Sequence, residues 1–194
     1  AESNLFDITQ KNLNRRYMRL GDLAVKAQKE LEVLSKKVEG ITGVPAGFTE
    51  LDKITNGWQR SDLVIVAARP GMGKTAFTLS LARNAALDFN RPVAFFSLEM
   101  SALQLTHRLM SMVAEIPGSK LRNAQMEDYE WQQLNSAVER FSEVPIFIDD
   151  TPAINIFELR AKCRRLKMHH DIQLVIVDYL QLMTAGPDQK RGGT

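Results

Sequence analysis

A glycine-rich stretch between an apolar run and an amphipathic run is the segment best suited to chemistry. Residues 63–75 read Leu-Val-Ile-Val-Ala-Ala-Arg-Pro-Gly-Met-Gly-Lys-Thr. They match the phosphate-loop pattern Gly-x4-Gly-Lys-Ser/Thr, except that Ala68 replaces the first glycine. Gly71 and Gly73 allow the backbone to curl until its N–H groups point at phosphate oxygens. A following helix adds a favourable dipole at its N-terminus, so the pattern predicts a nucleotide site.

Individual roles within this loop follow from side-chain chemistry. Lys74 is expected to reach the outer phosphates, and the Thr75 hydroxyl is expected to ligate Mg²⁺. The other residues expected to line the nucleotide are Arg69, Pro70, Gly71, Met72, Gly73 and Ala76. Met72 has no evident chemical role of its own. A glycine-rich turn with a surface lysine is the competing interpretation, but strand, loop, Lys-Thr pair and helix follow in the required order.

Two apolar segments end in aspartate, the residue type that holds Mg²⁺ beside a phosphate loop. One segment is 146–150 and the other is 174–178. The longer apolar run before Asp178 favours that residue. Asp149 and Asp150 precede Thr151-Pro152, where aspartate commonly serves as a turn or cap residue. The pattern alone leaves both segments open.

Glu99 follows a third apolar segment by a few residues. The carboxyl ends of parallel strands face the ligand crevice, so a glutamate there can orient or deprotonate an attacking water. The alternative is an acid placed before a helix that begins at Ser101, where the helix dipole stabilises negative charge. The pattern leaves both interpretations open.

The elements that must position these residues alternate between strand and helix from Phe48 onward. Strands are predicted at 63–67, 92–97, 145–148 and 173–177, and helices at 74–87, 101–114, 127–141 and 155–167. Apolar strands between helices predict an α/β fold with a mainly parallel sheet covered on both faces. Residues from 185 onward read as a loop.

A long amphipathic helix is predicted over residues 10–38, ahead of this region. Its stripe comprises Leu13, Tyr17, Leu20, Ala24, Ala27, Leu31, Leu34 and Val38. A heptad-like seam of roughly 40 Å requires a surface to cover it. Glycines and a proline over 40–47 then break the helix, which divides the chain into a helical region 1–39 and a domain 40–194.

Composition narrows the class of protein. The chain is 44% hydrophobic and 25% charged, as in an ordinary globular domain, and no apolar run approaches the roughly 20 residues that cross a membrane. With Cys163 as its one cysteine, no internal disulfide forms, which favours a cytoplasmic location. A net charge of +2 is too balanced to predict nucleic-acid binding from charge alone. The basic stretch 160–167 has charges all around a helix, which favours a solvated or subunit-facing surface over DNA contact.

Several segments together resemble one family. The stretch "TGVPAGFTELDKITNGWQRSDLVIVAARPGMGKTAF" is similar to the bacterial replicative helicases of the DnaB family. So are "FFSLEMS" (95–101), "IDDTP" (148–152), "RAKCRRLK" (160–167) and "VDYLQLM" (177–183). The resemblance covers roughly residues 40–183, and the preceding helix resembles that family's linker helix more loosely. It implies an incomplete RecA-like P-loop NTPase core.

The resemblance also implies roles for individual residues. Lys74 and Thr75 would bind ATP and Mg²⁺, and Glu99 would activate the attacking water. Asp178, rather than Asp149, would hold Mg²⁺ through water. The family's later strands and arginine finger are expected beyond Thr194, so the isolated chain is expected to bind Mg-ATP but to hydrolyse it poorly.

The function implied is that of an ATP-dependent replicative DNA helicase. Six copies would form a ring with ATP at the subunit boundaries, and the linker helix would dock on a neighbouring subunit. Single-stranded DNA would be the track, with primase and a helicase loader as partners of a longer protein. The loop that contains Lys190 and Arg191 could either contact DNA or form a solvated tail, and the sequence leaves both alternatives open.

Two other functions remain. A RecA-like recombination or remodelling ATPase shares the phosphate loop, but "SLEMS" and "DYLQLM" argue against it. A nucleotide-binding regulatory module without helicase activity would not require Glu99. The linker helix could also fold back on its own domain or pair in a dimer.

Overall fold

The computed structural model describes residues 19–35 and 40–184. Contacts within the chain divide it into two units, Ala1–Gly40 and Ile41–Thr194. The predicted loop from residue 185, with Lys190 and Arg191, lies outside the described residues.

The first unit contains helix α1 (Leu20–Ser35). Positions 10–18 and 36–38 of the predicted helix lie outside the described residues. Leu20 and Leu31, two members of the apolar stripe, are exposed at 82% and 66%. The stripe members whose side chains the structure describes, Leu20, Ala24, Ala27 and Leu31, are therefore all exposed.

Three parallel strands form the sheet of the second unit. They are β1 (Val93–Ser97), β2 (Ile146–Asp149) and β3 (Leu174–Asp178), in the order β2-β1-β3. Phe96 pairs with Asp149, and Ser97 pairs with Asp178. The parallel sheet and three of the four predicted strands are thereby confirmed, and both aspartates lie at the carboxyl end of the sheet, on opposite sides of β1.

Six helices accompany this sheet in the described part of the second unit. They are α2 (Thr49–Thr55), α3 (Lys74–Arg83), α4 (Ala102–Ala114), α5 (Gly118–Asn123), α6 (Asp128–Phe141) and α7 (Ile156–His170), with a π-helical turn at Asn84–Asp88 and a 3-10 turn at Leu180–Leu182. The sequence predicted the four longest of them within a few residues; α2 and α5 were missed. None of the described helices has both the length and the apolar character needed to cross a bilayer.

Side chains of β1 alternate between two cores because successive strand residues point to opposite faces. Val93 and Phe95 join a cluster with Leu79 of α3 and Leu105 of α4. Ala94 and Phe96 join a second cluster that contains Ile154 and Ile172. The central strand is buried along its whole length, as the apolar sequence predicted.

The prediction of a buried strand at residues 63–67 is wrong. This segment has no strand hydrogen bonding, and Leu63 and Ile65 are exposed at 87% and 77%. An apolar strand is stable when its edges are paired and its faces are covered. No described strand pairs with this segment, and a cleft of about 580 Å³ is lined by both the segment and β3. Apolar character alone therefore did not bury it.

Candidate functional site

The glycines of the phosphate loop adopt the backbone conformation that the sequence pattern requires. Gly71 and Gly73 have φ angles of +76° and +86°, a region that side chains with a Cβ rarely occupy. Gly73 is the N-cap of α3, and its carbonyl accepts a hydrogen bond from the Phe77 N–H at 2.9 Å. The first N–H groups of α3 have no partner within the helix. Because residues 69–73 are exposed, this N-terminus is open to an anion.

Lys74 lies beside the end of β3. Its Nζ is 4.0 Å from Asp178 Oδ1 and 4.1 Å from the centre of the Tyr179 ring. A cation over an aromatic ring is attracted by the negative face of that ring. The ammonium group thus rests between a carboxylate and an aromatic ring, on the side of α3 that faces the cleft.

Asp178 is buried, with its side chain only 4% exposed. Its nearest cation, at 4.0 Å, is beyond hydrogen-bond distance, and none of the described residues donates a hydrogen bond to its carboxylate. The Asp178 carboxylate oxygens thus keep their capacity to accept hydrogen bonds or to bind a cation. This carboxylate is therefore suited to bind a metal ion or the water molecules around one.

Thr75 and Ala76 lie in the first turn of α3 and are half-buried. The Thr75 hydroxyl makes no hydrogen bond with any described residue. The backbone carbonyl of Thr75 accepts a hydrogen bond from the Thr78 hydroxyl. The hydroxyl oxygen remains available as a ligand. Oxygen ligands from a hydroxyl and a carboxylate are the kind that Mg²⁺ prefers, so the donor set fits this ion.

Glu99 is exposed in the turn that joins β1 to α4. The N–H of the preceding residue, Leu98, donates to the Asp178 carbonyl at 2.8 Å. A backbone hydrogen bond therefore connects the residue before Glu99 to Asp178. The Glu99 carboxylate itself has no hydrogen bond or ion pair with the described residues.

Asp149 and Asp150 are engaged elsewhere. Asp149 Oδ2 is 2.7 Å from Lys162 Nζ, and Asp149 Oδ1 accepts from the Thr151 N–H at 3.0 Å. Asp150 Oδ2 accepts from the N–H of Ala102, the first residue of α4, at 2.8 Å. These are the turn and cap roles that the sequence left open for the pair. They support Asp178 as the acid available near Lys74.

Although burial disfavours its charged form, hydrogen bonds from Lys162 and Thr151 hold the pKa of Asp149 below its usual value. Burial also opposes the charge of Lys162, but the Asp149 carboxylate raises the pKa of that lysine. Both groups are therefore charged at neutral pH and form an ion pair that connects β2 to α7.

The Asp149→Asn variant is expected to lower the free energy of unfolding by about 1 kcal/mol at neutral pH, since this ion pair is only partly exposed. A depressed folded-state pKa stabilises the protein above the unfolded value of about 3.9 and loses that effect as the pH falls through the folded value. Urea unfolding should therefore show the difference from wild type shrinking below about pH 4. Asp62→Asn, at an exposed acid, is the control; a difference that is constant down to pH 3 would contradict the role of the pair.

Two residues near the site were not singled out from the sequence. Tyr179 directly follows Asp178, and nothing in its spacing indicates a contact with Lys74. Lys162 was grouped with a solvated or subunit-facing surface, yet its side chain is only 19% exposed. Its position three residues after Leu159 and four before Leu166, both apolar residues of α7, was the available signal, because residues three and four apart share a helix face.

Comparison with known proteins gives the family. The family model described as the DnaB-like helicase C-terminal domain matches residues 43–193. The Replicative DNA helicase DnaB of Geobacillus stearothermophilus is 43% identical over 94% of this chain, which spans 40% of that relative. The protein of the same name from Rhodothermus marinus is 48% identical over 95% of this chain and 20% of its own length.

Solved structures agree in fold. The ATPase domain of G40P matches with a TM-score of 0.79 at 32% identity, covering 89% of this chain and 61% of that one. A structure of a DnaB-like replicative helicase and its interactions with primase matches with a TM-score of 0.75 at 32% identity, covering 97% of this chain and 45% of that one. The predicted α/β, RecA-like fold is thus confirmed with a three-stranded parallel sheet. The chain belongs to the DnaB-like helicase C-terminal domain family.

Proposed function

We propose that this chain is part of the motor of an ATP-dependent replicative DNA helicase, and that it binds Mg-ATP between the phosphate loop and the end of β3. The proposal rests mainly on one observation. The Lys74 ammonium, at the open N-terminus of α3, lies 4.0 Å from the buried Asp178 carboxylate. A cation and helix N–H groups attract phosphate, while an adjacent carboxylate attracts the metal ion that accompanies it. Membership of the helicase family supports the same function.

Each residue of the site has a distinct task in this proposal. The backbone of residues 69–73 and the Lys74 ammonium bind and orient the phosphates, with Ala76 in the first turn of α3 beside them. Thr75 and Asp178 hold Mg²⁺, with Asp178 acting through bound water. The ion supplies positive charge against the phosphate oxygens. Glu99 orients the attacking water and accepts its proton.

Assembly and partners extend the proposal to the longer protein. A homo-hexameric ring would place ATP at subunit boundaries, and the exposed stripe of α1 supplies an apolar surface for docking on a neighbouring subunit. Single-stranded DNA is the track on which the ring moves. Primase and a helicase loader are proposed as partners of the longer protein, and the cytoplasm as its location.

Native mass measurement of the full-length protein, with and without Mg-ATP, tests the assembly. We expect six copies per particle in Mg-ATP, together with ATP-dependent unwinding of a forked DNA duplex. Strand pairing without unwinding would instead indicate a recombination ATPase. Nucleotide binding without DNA-stimulated hydrolysis would indicate a regulatory module. A protein that remains monomeric in Mg-ATP would contradict the ring.

A further inference from the structure

The turn that presents Glu99 is closed by a buried side chain. We call residues 98–100 the Glu99 turn; it follows Ser97, the last residue of β1. Ser97 is 2% exposed, and its hydroxyl donates to the Met100 carbonyl at 2.6 Å and accepts from the Met100 N–H at 3.1 Å. Both hydrogen bonds span Glu99. They fix the path of the backbone on either side of that residue.

The far end of the Glu99 turn is anchored by Asp150. Ser101 is the N-cap of α4, and its hydroxyl accepts from the Gln104 N–H at 3.3 Å. Asp150 Oδ2 accepts from the N–H of Ala102, the next residue, at 2.8 Å. A carboxylate at a helix N-terminus is also favoured by the helix dipole. Asp150 therefore fixes the point at which the chain leaves the Glu99 turn and enters α4.

Asp150 is itself fixed through its two neighbours in the sequence. Its neighbours, Asp149 and Thr151, both contact Lys162 Nζ at 2.7 Å. This places Asp150 on a segment fixed by β2 and α7. At the first residue of the Glu99 turn, the Leu98 N–H donates to the Asp178 carbonyl at the end of β3. The Glu99 turn is thereby connected to all three strands of the sheet.

We propose that Ser97 and Asp150 are positioning residues that hold the Glu99 carboxylate in line with the nucleotide. This inference rests on the proposed function, in which Glu99 activates the attacking water. The Glu99 side chain is exposed and has no partner among the described residues, so its direction depends on the backbone of its turn. A displacement of about 1 Å in a reacting group costs on the order of 100-fold in rate.

The first test compares two substitutions of Asp150 in the full-length protein. Asp150→Ala is expected to lower the kcat of DNA-stimulated ATP hydrolysis about tenfold and to leave KM within about twofold, since only alignment for the chemical step is lost. Asp150→Asn keeps an oxygen that accepts from the Ala102 N–H and should recover most of the rate. Ser97→Ala removes both hydrogen bonds to Met100 and should act like Asp150→Ala.

A matched control separates positioning from a loss of helix stability. Asn155 caps α7, where its side chain accepts from the N–H groups of Phe157 and Glu158 at 3.0 Å. Asn155→Ala removes a cap of the same kind and is expected to leave kcat unchanged. Rates are divided by the number of nucleotide sites measured by binding of a fluorescent ATP analogue. A fall in kcat of equal size in Asn155→Ala would overturn the positioning role.

A double variant decides whether Asp150 acts through Glu99. In a Glu99→Gln background, Asp150→Ala should lower kcat no further, because residues that act as one unit are not additive. A further tenfold loss would overturn the inference, as would an Asp150→Ala single variant with normal kcat. In both cases a slow Glu99→Gln single variant would leave the proposed function standing. A fully active Glu99→Gln single variant would instead overturn the proposed role of Glu99 and the inference that rests on it.

Discussion

Replacing Lys74 with alanine is expected to abolish DNA-stimulated ATP hydrolysis in the full-length protein, with a loss of about 1,000-fold or more. Lys74 supplies the cation that lies at the N-terminus of α3 and beside Asp178. Without it, the outer phosphates lose their charge partner in the ground state and in the transition state. Binding of Mg-ATP should weaken together with turnover. Steady-state hydrolysis and titration with a fluorescent ATP analogue measure the two effects.

The fold should survive this substitution, because Lys74 is half-buried at a helix end and its ammonium is not hydrogen-bonded to Asp178. Lys53→Ala is a suitable control, since Lys53 is an exposed lysine whose ion pair joins it to Glu50 within α2. It should leave both hydrolysis and binding unchanged. Near-normal hydrolysis by Lys74→Ala, with a correctly folded protein, would contradict the assignment of the phosphate site.

The Glu99→Gln substitution is expected to lower kcat by about 100- to 1,000-fold while Mg-ATP still binds. The amide keeps the size of the side chain but cannot accept a proton from water. Because the carboxylate has no partner among the described residues, its loss should not alter stability. Single-turnover hydrolysis, compared with nucleotide affinity, separates this effect from the combined loss expected for Lys74→Ala.

Glu139→Gln provides a matched control for that variant. Glu139 is exposed on α6 and is followed two positions later by the end of that helix. Its substitution changes net charge by the same amount without touching the Glu99 turn. Equal losses in the two variants would point to a general charge effect. A Glu99→Gln protein that hydrolyses ATP at the wild-type rate would exclude Glu99 as the residue that activates water.

Local signals in the sequence were enough to predict most of the fold. β1 was predicted because a short apolar run between two helices indicates a buried strand, and both of its faces are covered. Helix α4 was predicted to begin at Ser101, and in the structure Ser101 is its N-cap, where its hydroxyl accepts from the Gln104 N–H. The path from Gly71 to Lys74 was predicted because a positive φ is easily adopted by glycine.

The features that were missed depend on contacts between distant parts of the chain. The capping of α4 by Asp150 joins residues 48 positions apart, and neither residue indicates the other from the sequence. The contact of Lys162 with Asp149 likewise forms only after α7 packs against β2. The segment 63–67 was predicted to be buried because its residues are apolar, whereas burial also requires a covering surface. Contacts between residues far apart in the sequence were therefore harder to predict than the helices and strands on which those residues lie.

That uncovered segment has a practical consequence for anyone preparing this polypeptide. Residues 63–67 are five consecutive uncharged residues, rich in β-branched side chains, with Leu63, Val64 and Ile65 all exposed. Short exposed stretches of this type act as templates for intermolecular β-pairing. Concentrated samples should consequently precipitate or form fibrils faster than dilute ones. A lysine introduced at Val64 would be the first change to make for a well-behaved preparation.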